Sequence, residues 1–287
     1  MRQRKIGAVS VSAIGLGAMQ MSLEGRPDEE RSLRTIHAAL DAGVTLIDTA
    51  DAYHLHAGET GHNERLIAKA LATWSGDASG VLVATKGGHI RPGDGSWTVD
   101  GSPRHLKEAV EASLKALGVD TIGLYQFHRP DPAVPYQESI AAMRELHDAG
   151  KVRMVGISNA TIEQIDIARR VLGDSNLASV QNQFSPAFRS SEPELRHAAA
   201  LGLAFLPWGP LGGADRAGGL GTRHHAFAEV AQAHGVSPQQ VTLAWMLAKA
   251  PVVIPIPGAS RPESIIDSAK AADLALTESE LQRLDES

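Results

Sequence analysis

Short runs of apolar and β-branched residues alternate along this chain with longer segments in which apolar positions recur every three or four residues. The runs are AIGLG from Ala13, VTLID from Val44, VLVATK from Val81, TIGLYQFH from Thr121, VRMVGISN from Val152, LASVQNQ from Leu177, LAFLPW from Leu203 and VVIPIPG from Val252, eight in all. Between them Leu33, Ile36 and Leu40, then Leu106, Val110, Leu114 and Leu117, then Ile140, Met143 and Leu146, then Ile162, Ile165 and Leu172 keep the period of an amphipathic helix. Several of these segments finish at a glycine, Gly43, Gly118, Gly150 and Gly173 among them, where a left-handed helix cap costs nothing. A strand and helix rhythm repeated eight times predicts parallel pairing, and the nearly continuous apolar character of the strands predicts that both faces are covered. A closed (β/α)8 TIM barrel meets both conditions better than an open sheet, with a short β segment ahead of it.

The polar residues inside those runs are placed unevenly. Asp48 ends VTLID, Lys86 ends VLVATK, His128 ends TIGLYQFH, Asn159 ends VRMVGISN, Gln181 lies late in LASVQNQ and Trp208 ends LAFLPW. In a barrel of parallel strands all six project at the C-terminal mouth, where such folds build their active sites. One polar residue at a strand end commonly caps or meets solvent; six that converge predict a site.

Asp48 and Lys86 would stand against an apolar interior, where an unpaired charge costs several kcal/mol, so they are expected to pair. Tyr53 lies five residues beyond Asp48 on the following loop, within reach of the same mouth. A phenol is a weak acid, and a neighbouring ammonium is expected to lower its pKa, so Lys86 would tune Tyr53 while Asp48 holds the lysine. His128 would orient or polarise a carbonyl oxygen. Such a site gives a proton to oxygen while another agent attacks carbon.

Composition narrows the picture. The chain has 287 residues, 43% hydrophobic, which suits one barrel domain over residues 1–287. Its 27 basic and 33 acidic residues give a net charge of −6 without long runs of either sign, so neither nucleic acid nor a membrane surface is an expected partner. With no cysteine there are no disulfides and no thiolate nucleophile. The basic N-terminus lacks an apolar signal stretch, and a cytoplasmic location is the economical expectation. No metal centre is expected, although His54, His56 and His62 share one loop with Asp51 and Glu59. His224 and His225 open a helix and are expected to be solvated.

DTADAY with Lys86 and the YQFHRPDP stretch resembles the Asp, Tyr, Lys and His tetrad of the aldo-keto reductases, in the manner of short bacterial-type members. AGKVRMVGISN, SVQNQFSP and PIPGASR resemble later motifs of that family in the same order, so the likeness runs from about Ile14 to Ala272. The resemblance implies an NADP-dependent oxidoreductase that reduces aldehydes or ketones, with Tyr53 as general acid/base and Asp48, Lys86 and His128 in support. It implies NADPH/NADP+ held at the barrel mouth without a Rossmann domain. Ser158, Asn159 and Gln181 then fall to the nicotinamide carboxamide, with Asp48 beside them, and Trp208 to the nicotinamide face. Gly209, Pro210, Leu211 and Gly212 fall to the pyrophosphate loop, and Gly17, Ala18 and Met19 to the floor of the site. Pro257, Gly258, Ala259, Ser260 and Arg261, with Asp267 and Ser268 on the last helix, fall to the adenosine end. Arg261 suits a 2′-phosphate because its planar guanidinium matches that group, which favours NADPH over NADH.

The chain also departs from the family pattern. His54 follows Tyr53 where glycine is common, the HLHAGETG loop is longer than usual, Gly209 replaces a common serine, and Ser264, Asp267 and Ser268 stand where Arg, Glu and Asn are frequent. Trp208, Trp97 and Phe184 are expected to form an apolar wall for the substrate. GLGAMQ at Gly15 imitates the start of a dinucleotide fingerprint, but Gln20 occupies its last position. Two other readings share these residues: an NADPH-binding regulatory or sensor protein with negligible turnover, and a Schiff-base aldolase using Lys86 as nucleophile. Proximity of Asp48 argues against the second, because it keeps the lysine charged.

Overall fold

The computed structural model describes residues 1–174 and 176–287. It begins with an antiparallel hairpin, β1 (Gln3–Ile6) and β2 (Val9–Ser12). Ile6 and Val11 of this hairpin are fully buried against Leu46, Leu82, Leu124 and Ala178, and Ser12 exchanges hydrogen bonds with Thr45 at 2.8 and 2.9 Å. Those partners stand at or near the N-terminal ends of the barrel strands. The hairpin therefore plugs the bottom of the barrel and leaves the C-terminal end as its mouth.

Seven parallel strands follow one another around the barrel: β3 (Leu16–Gly17), β4 (Leu46–Asp48), β5 (Leu82–Gly87), β8 (Leu124–Phe127), β9 (Val155–Ser158), β10 (Leu177–Gln181) and β11 (Ala204–Phe205). A small antiparallel pair, β6 (His89–Ile90) and β7 (Thr98–Val99), is inserted beyond β5 at the mouth. The eighth apolar run, residues 252–258, touches both edges of the sheet through parallel bridges Phe205 to Val253 and Gly17 to Gly258. On one side Ile254 and Ile256 donate to Phe205 and Pro207 at 2.8 and 3.2 Å. On the other, Gly15 and Gly17 donate to Pro255 and Pro257 at 2.9 Å, and neither proline has an N–H to give in return. The barrel closes, but its last seam lacks these two donors.

Helices return the chain between strands. They are α1 (Glu29–Asp41), α2 (His62–Thr73), α3 (Pro103–Leu117), α4 (Tyr136–Asp148), α5 (Ile162–Leu172) and α6 (Glu192–Ala200). Their starts are chemically marked. Asp28 accepts from the Arg31 amide at 2.7 Å, Ser102 accepts from His105 ahead of Pro103 at the first helical position, and Thr161 with Gln164 forms a reciprocal capping box. The apolar stripes read from the sequence face inward: Ile36, Leu106, Val110, Ile140, Met143 and Ile165 are completely buried. Each contributes about 1.5–3 kcal/mol relative to exposure.

Beyond β11 the chain forms α7 (Ala214–Ala217), α8 (Leu220–Arg223), α9 (His225–His234), α10 (Pro238–Lys249), α11 (Pro262–Lys270) and α12 (Glu278–Asp285). Among the described residues no helix is long and apolar enough to cross a membrane.

Candidate active site

Asp48 ends β4, Lys86 lies near the end of β5, and His128 directly follows β8. Parallel register sets Asp48 beside Ala84 and Lys86 beside Gln126, so these side chains meet at the mouth. The Lys86 ammonium is wholly inaccessible and donates to Asp48 Oδ1 at 2.6 Å, the Thr49 carbonyl at 2.7 Å and the Tyr53 hydroxyl at 3.2 Å. Burial works against its charge, yet Asp48 and Tyr53 together hold its pKa above the ordinary value. Asp48 Oδ2 accepts from Gln181 Nε2 at 2.8 Å and Gln126 Nε2 at 3.2 Å. A buried ion pair with its remaining lone pairs occupied is the arrangement in which desolvation is best offset. The same contacts favour the charged form of Lys86, as expected from the proximity of Asp48, which argues against a Schiff-base nucleophile.

Tyr53 is 6% exposed, on the loop after β4. Its pKa lies above the usual value because burial outweighs the opposing pull of Lys86. Lys86 pulls in the expected direction, but burial is the larger effect, and the phenol is kept protonated. His128 is also buried, and burial followed by the charges of Lys86, His89 and Arg129 holds it well below its ordinary pKa. It is therefore a neutral imidazole at pH 7. Its Nδ1 has no partner among the described residues, and its ring stands edge-on to Tyr53 at 5.8 Å and to His89 at 4.8 Å.

A cavity of about 980 Å³ opens above these groups. One part is lined by Ser158, Asn159, Gln181 and Trp208. Asn159 takes a left-handed backbone at φ 56, which asparagine tolerates better than most residues. That conformation lets its Nδ2 donate to the His128 carbonyl at 3.0 Å while its Oδ1 accepts from Trp208 Nε1 at 3.2 Å. The half-buried Trp208 ring is thus fixed at the wall. Gly17 lines the floor, where a Cβ would come within 2.8 Å of the Ile256 carbonyl. Met19 lies beside it on the cavity wall.

The cavity continues past Gly209, Pro210 and Leu211 to Gly258, Ala259, Ser260, Arg261, Ser264, Asp267 and Ser268. Gly209 has φ 60 and nothing within 4 Å of where a Cβ would stand, so its backbone is open to approach. The Arg261 guanidinium is exposed and accompanied by Ser264, whose Oγ accepts from its Nε at 2.9 Å. Asp267 is committed elsewhere: its oxygens accept from Ser237 Oγ and Gln240 Nε2, both at 2.6 Å.

Not every residue singled out in the sequence lines this cavity. Ala18 and Pro257 are behind it, Ala18 donating to the Asp48 carbonyl and Pro257 accepting from Gly17, both at 2.9 Å. Gly212 turns to a smaller neighbouring pocket. Phe184 is a correction: it is fully buried and stacked on Trp245 at 5.6 Å in the outer core, not in the substrate wall. Trp97 does line the cavity, stacked on His89 at 4.6 Å. The Tyr53-side loop is tied down internally, His54 Nδ1 meeting the His56 carbonyl at 2.9 Å and His62 Nδ1 meeting Ser22 Oγ at 2.9 Å.

Sequence reasoning missed Gln126, His89, Arg129, Leu23 and Gln20. Gln126 had a signal: Leu124, Gln126 and His128 alternate along one face of the strand, so all three point into the barrel. A buried acid pair, Asp51 and Glu64, was also missed. Burial first and Glu64 next raise Asp51 well above the carboxylate range, while Glu64, itself raised, accepts from Thr85 at 2.6 Å.

A sequence model of the Aldo/keto reductase family matches residues 13–287. The chain belongs to that family. It is 34% identical over 279 residues to a 6-dehydroglucose reductase of Novosphingobium aromaticivorans, covering 94% of this chain and 89% of that protein. It is 31% identical over 291 residues to a pyridoxine 4-dehydrogenase of Escherichia coli, covering 98% and 96% of the two chains. Among solved structures it resembles an aldo/keto reductase of Klebsiella pneumoniae in complex with NADP and acetate, at a TM-score of 0.82 and 28% identity over 99% of this chain and 94% of that one. Membership makes this aldo/keto reductase an oxidoreductase acting on carbonyl groups, built on a TIM barrel.

Proposed function

We propose that the protein reduces aldehydes or ketones to alcohols with NADPH, Tyr53 delivering the proton. The observation that carries this reading is the Tyr53 hydroxyl 3.2 Å from a lysine that is itself held by Asp48 at 2.6 Å, on the wall of a cavity shared with His128. When bound, NADPH supplies a hydride to the carbonyl carbon.

The cavity suits that cofactor in shape and donor set. Ser158 and Asn159 carry the groups for a carboxamide, although Asn159 and Gln181 are now engaged with Trp208 and Asp48. Trp208 offers a fixed ring, Gly209 an approachable backbone, and Arg261 with Ser260 and Ser264 a cationic, hydroxyl-rich end for a phosphate.

The protein's own steps then follow from the geometry. Neutral His128 orients the carbonyl oxygen toward Tyr53 without adding a competing positive charge. The phenol gives its proton as negative charge builds on that oxygen, and Lys86 stabilises the phenolate left behind. Asp48 keeps Lys86 aimed and charged. Loss of NADPH absorbance against a panel of aromatic aldehydes, aliphatic aldehydes, dicarbonyls and pyridoxal, with NADH in parallel, tests the reading. Turnover preferring NADPH supports it, and cofactor binding without consumption of any member counts against it.

A further inference from the structure

Arginines near the mouth differ in charge balance, and of Arg26, Arg91 and Arg129 only Arg129 lines the cavity. Arg26 forms two bonds to Glu59 at 3.0 and 3.2 Å, and Arg91 pairs with Glu24. Arg129, which follows the catalytic-site histidine directly and lines the cavity, has neither a carboxylate nor a hydrogen-bond partner among the described residues. Asp131, the nearest acid in sequence, is turned away: its two oxygens accept from the Gly101 and Ala133 amides, both at 2.8 Å.

Among the described residues no carboxylate lies within 4 Å of the Arg129 guanidinium. His89 and His128 both feel its guanidinium, which helps keep them neutral. Lys86 and Asp48 neutralise one another. Arg129 therefore brings a positive charge without a carboxylate partner to a cavity whose lining also includes the apolar side chains of Met19, Leu23 and Trp97. Trp97 is itself braced, stacked on His89 and lying under the Arg91 guanidinium at 4.9 Å from its ring centre. Arg261, which among the described residues also has no carboxylate partner, lines the cavity with Ser264 of α11, whose Oγ accepts from its Nε.

We infer that this aldo/keto reductase prefers carbonyl substrates that carry an anionic group, a carboxylate or phosphate, bound by Arg129 while an apolar body rests against Trp97. The inference rests on the proposed reductase activity and specifies its substrate class. A guanidinium suits such a partner because its N–H groups meet two anion oxygens at once.

The test compares 2-, 3- and 4-carboxybenzaldehyde with their methyl esters, which carry no charge and whose stronger electron withdrawal activates the aldehyde, so that any preference for the acid runs against intrinsic reactivity. At low salt at least one acid should exceed its ester in kcat/KM by about 10- to 100-fold, mainly through KM, as expected for one charge-assisted contact. Arg129→Gln should collapse the acid-to-ester ratio toward unity and Arg129→Lys should keep part of it. Benzoate should quench tryptophan fluorescence of the cofactor-free protein at lower concentration than benzamide does, and Arg129→Gln should remove that difference. Equal rates for acids and esters, or a ratio unchanged in Arg129→Gln, overturn the inference while leaving the reductase reading intact. If Arg129→Gln instead weakens NADPH binding and spares the ratio, Arg129 serves the cofactor and the inference is wrong. No turnover of any aldehyde or ester overturns the reductase reading, and the inference falls with it.

Discussion

Lys86 and Tyr53 meet at 3.2 Å, with the lysine entirely inaccessible to solvent and the tyrosine only 6% exposed. In water such a contact would do little, but here both groups have lost hydration, and Lys86 is also held by Asp48 at 2.6 Å. The outcome is decided by magnitude. Burial raises the tyrosine and the ammonium only moderates that rise, so the resting site holds a protonated phenol next to a charged lysine. In the proposed reaction, charge developing on Tyr53 during proton transfer is where the ammonium contributes most, since a low-dielectric site strengthens the attraction.

Removing Asp48 should be felt in stability before chemistry. Asp48→Ala strands a fully buried ammonium and is expected to cost about 3–5 kcal/mol, as broken buried pairs do. Lys86→Met in the same chain should return part of that loss, because it removes the orphaned charge. Urea unfolding of the two single variants and the double variant measures the coupling; simple additivity would contradict the pairing described here.

Arg261 governs the choice between the two nicotinamide cofactors in this account. Arg261→Ala should weaken NADPH binding by about 10- to 100-fold, the size of one charge-assisted contact. NADH, which lacks the 2′-phosphate, should change by no more than about twofold on the same energetic scale. Titrations by fluorescence read both constants, and equal losses for the two cofactors would remove Arg261 from this role.

Stability should fall on the acid side through His89. Burial, then the charges of Arg129 and Lys86, hold this histidine at about 4 against an ordinary 6.5. Because the unfolded chain binds the proton more readily, the contribution is fully present above about 6.5 and is lost as the pH falls toward about 4. Buried His128 acts in the same direction. Denaturant midpoints across this window should decline in the native protein and decline less steeply in His89→Gln.

The repeating pattern of the chain made the barrel readable. Apolar runs and helical periods located the strands, and the polar residues at strand ends located the mouth, because both signals are local. What needs partners from distant parts of the chain was harder to read. Gln126 earns its place only when β8 lies beside β5, with Gln181 close enough to share Asp48. The hairpin of β6 and β7 is too short to announce itself, so His89 was not associated with Trp97. Phe184 follows a strand end as Trp208 does, yet it packs outward onto Trp245, a direction that sequence position alone does not give. Prolines 255 and 257 left the eighth strand visible in sequence while stripping it of a regular ladder.

The most direct test of the account is Tyr53→Phe, which removes one oxygen from the site and keeps the ring. NADPH consumption with the best carbonyl substrate should fall in kcat by about 100-fold or more, as for loss of a general acid, while the dissociation constant for NADPH stays within about twofold. Turnover near the native rate in this variant, with the cofactor bound equally well, would contradict the assignment of Tyr53 as the proton donor.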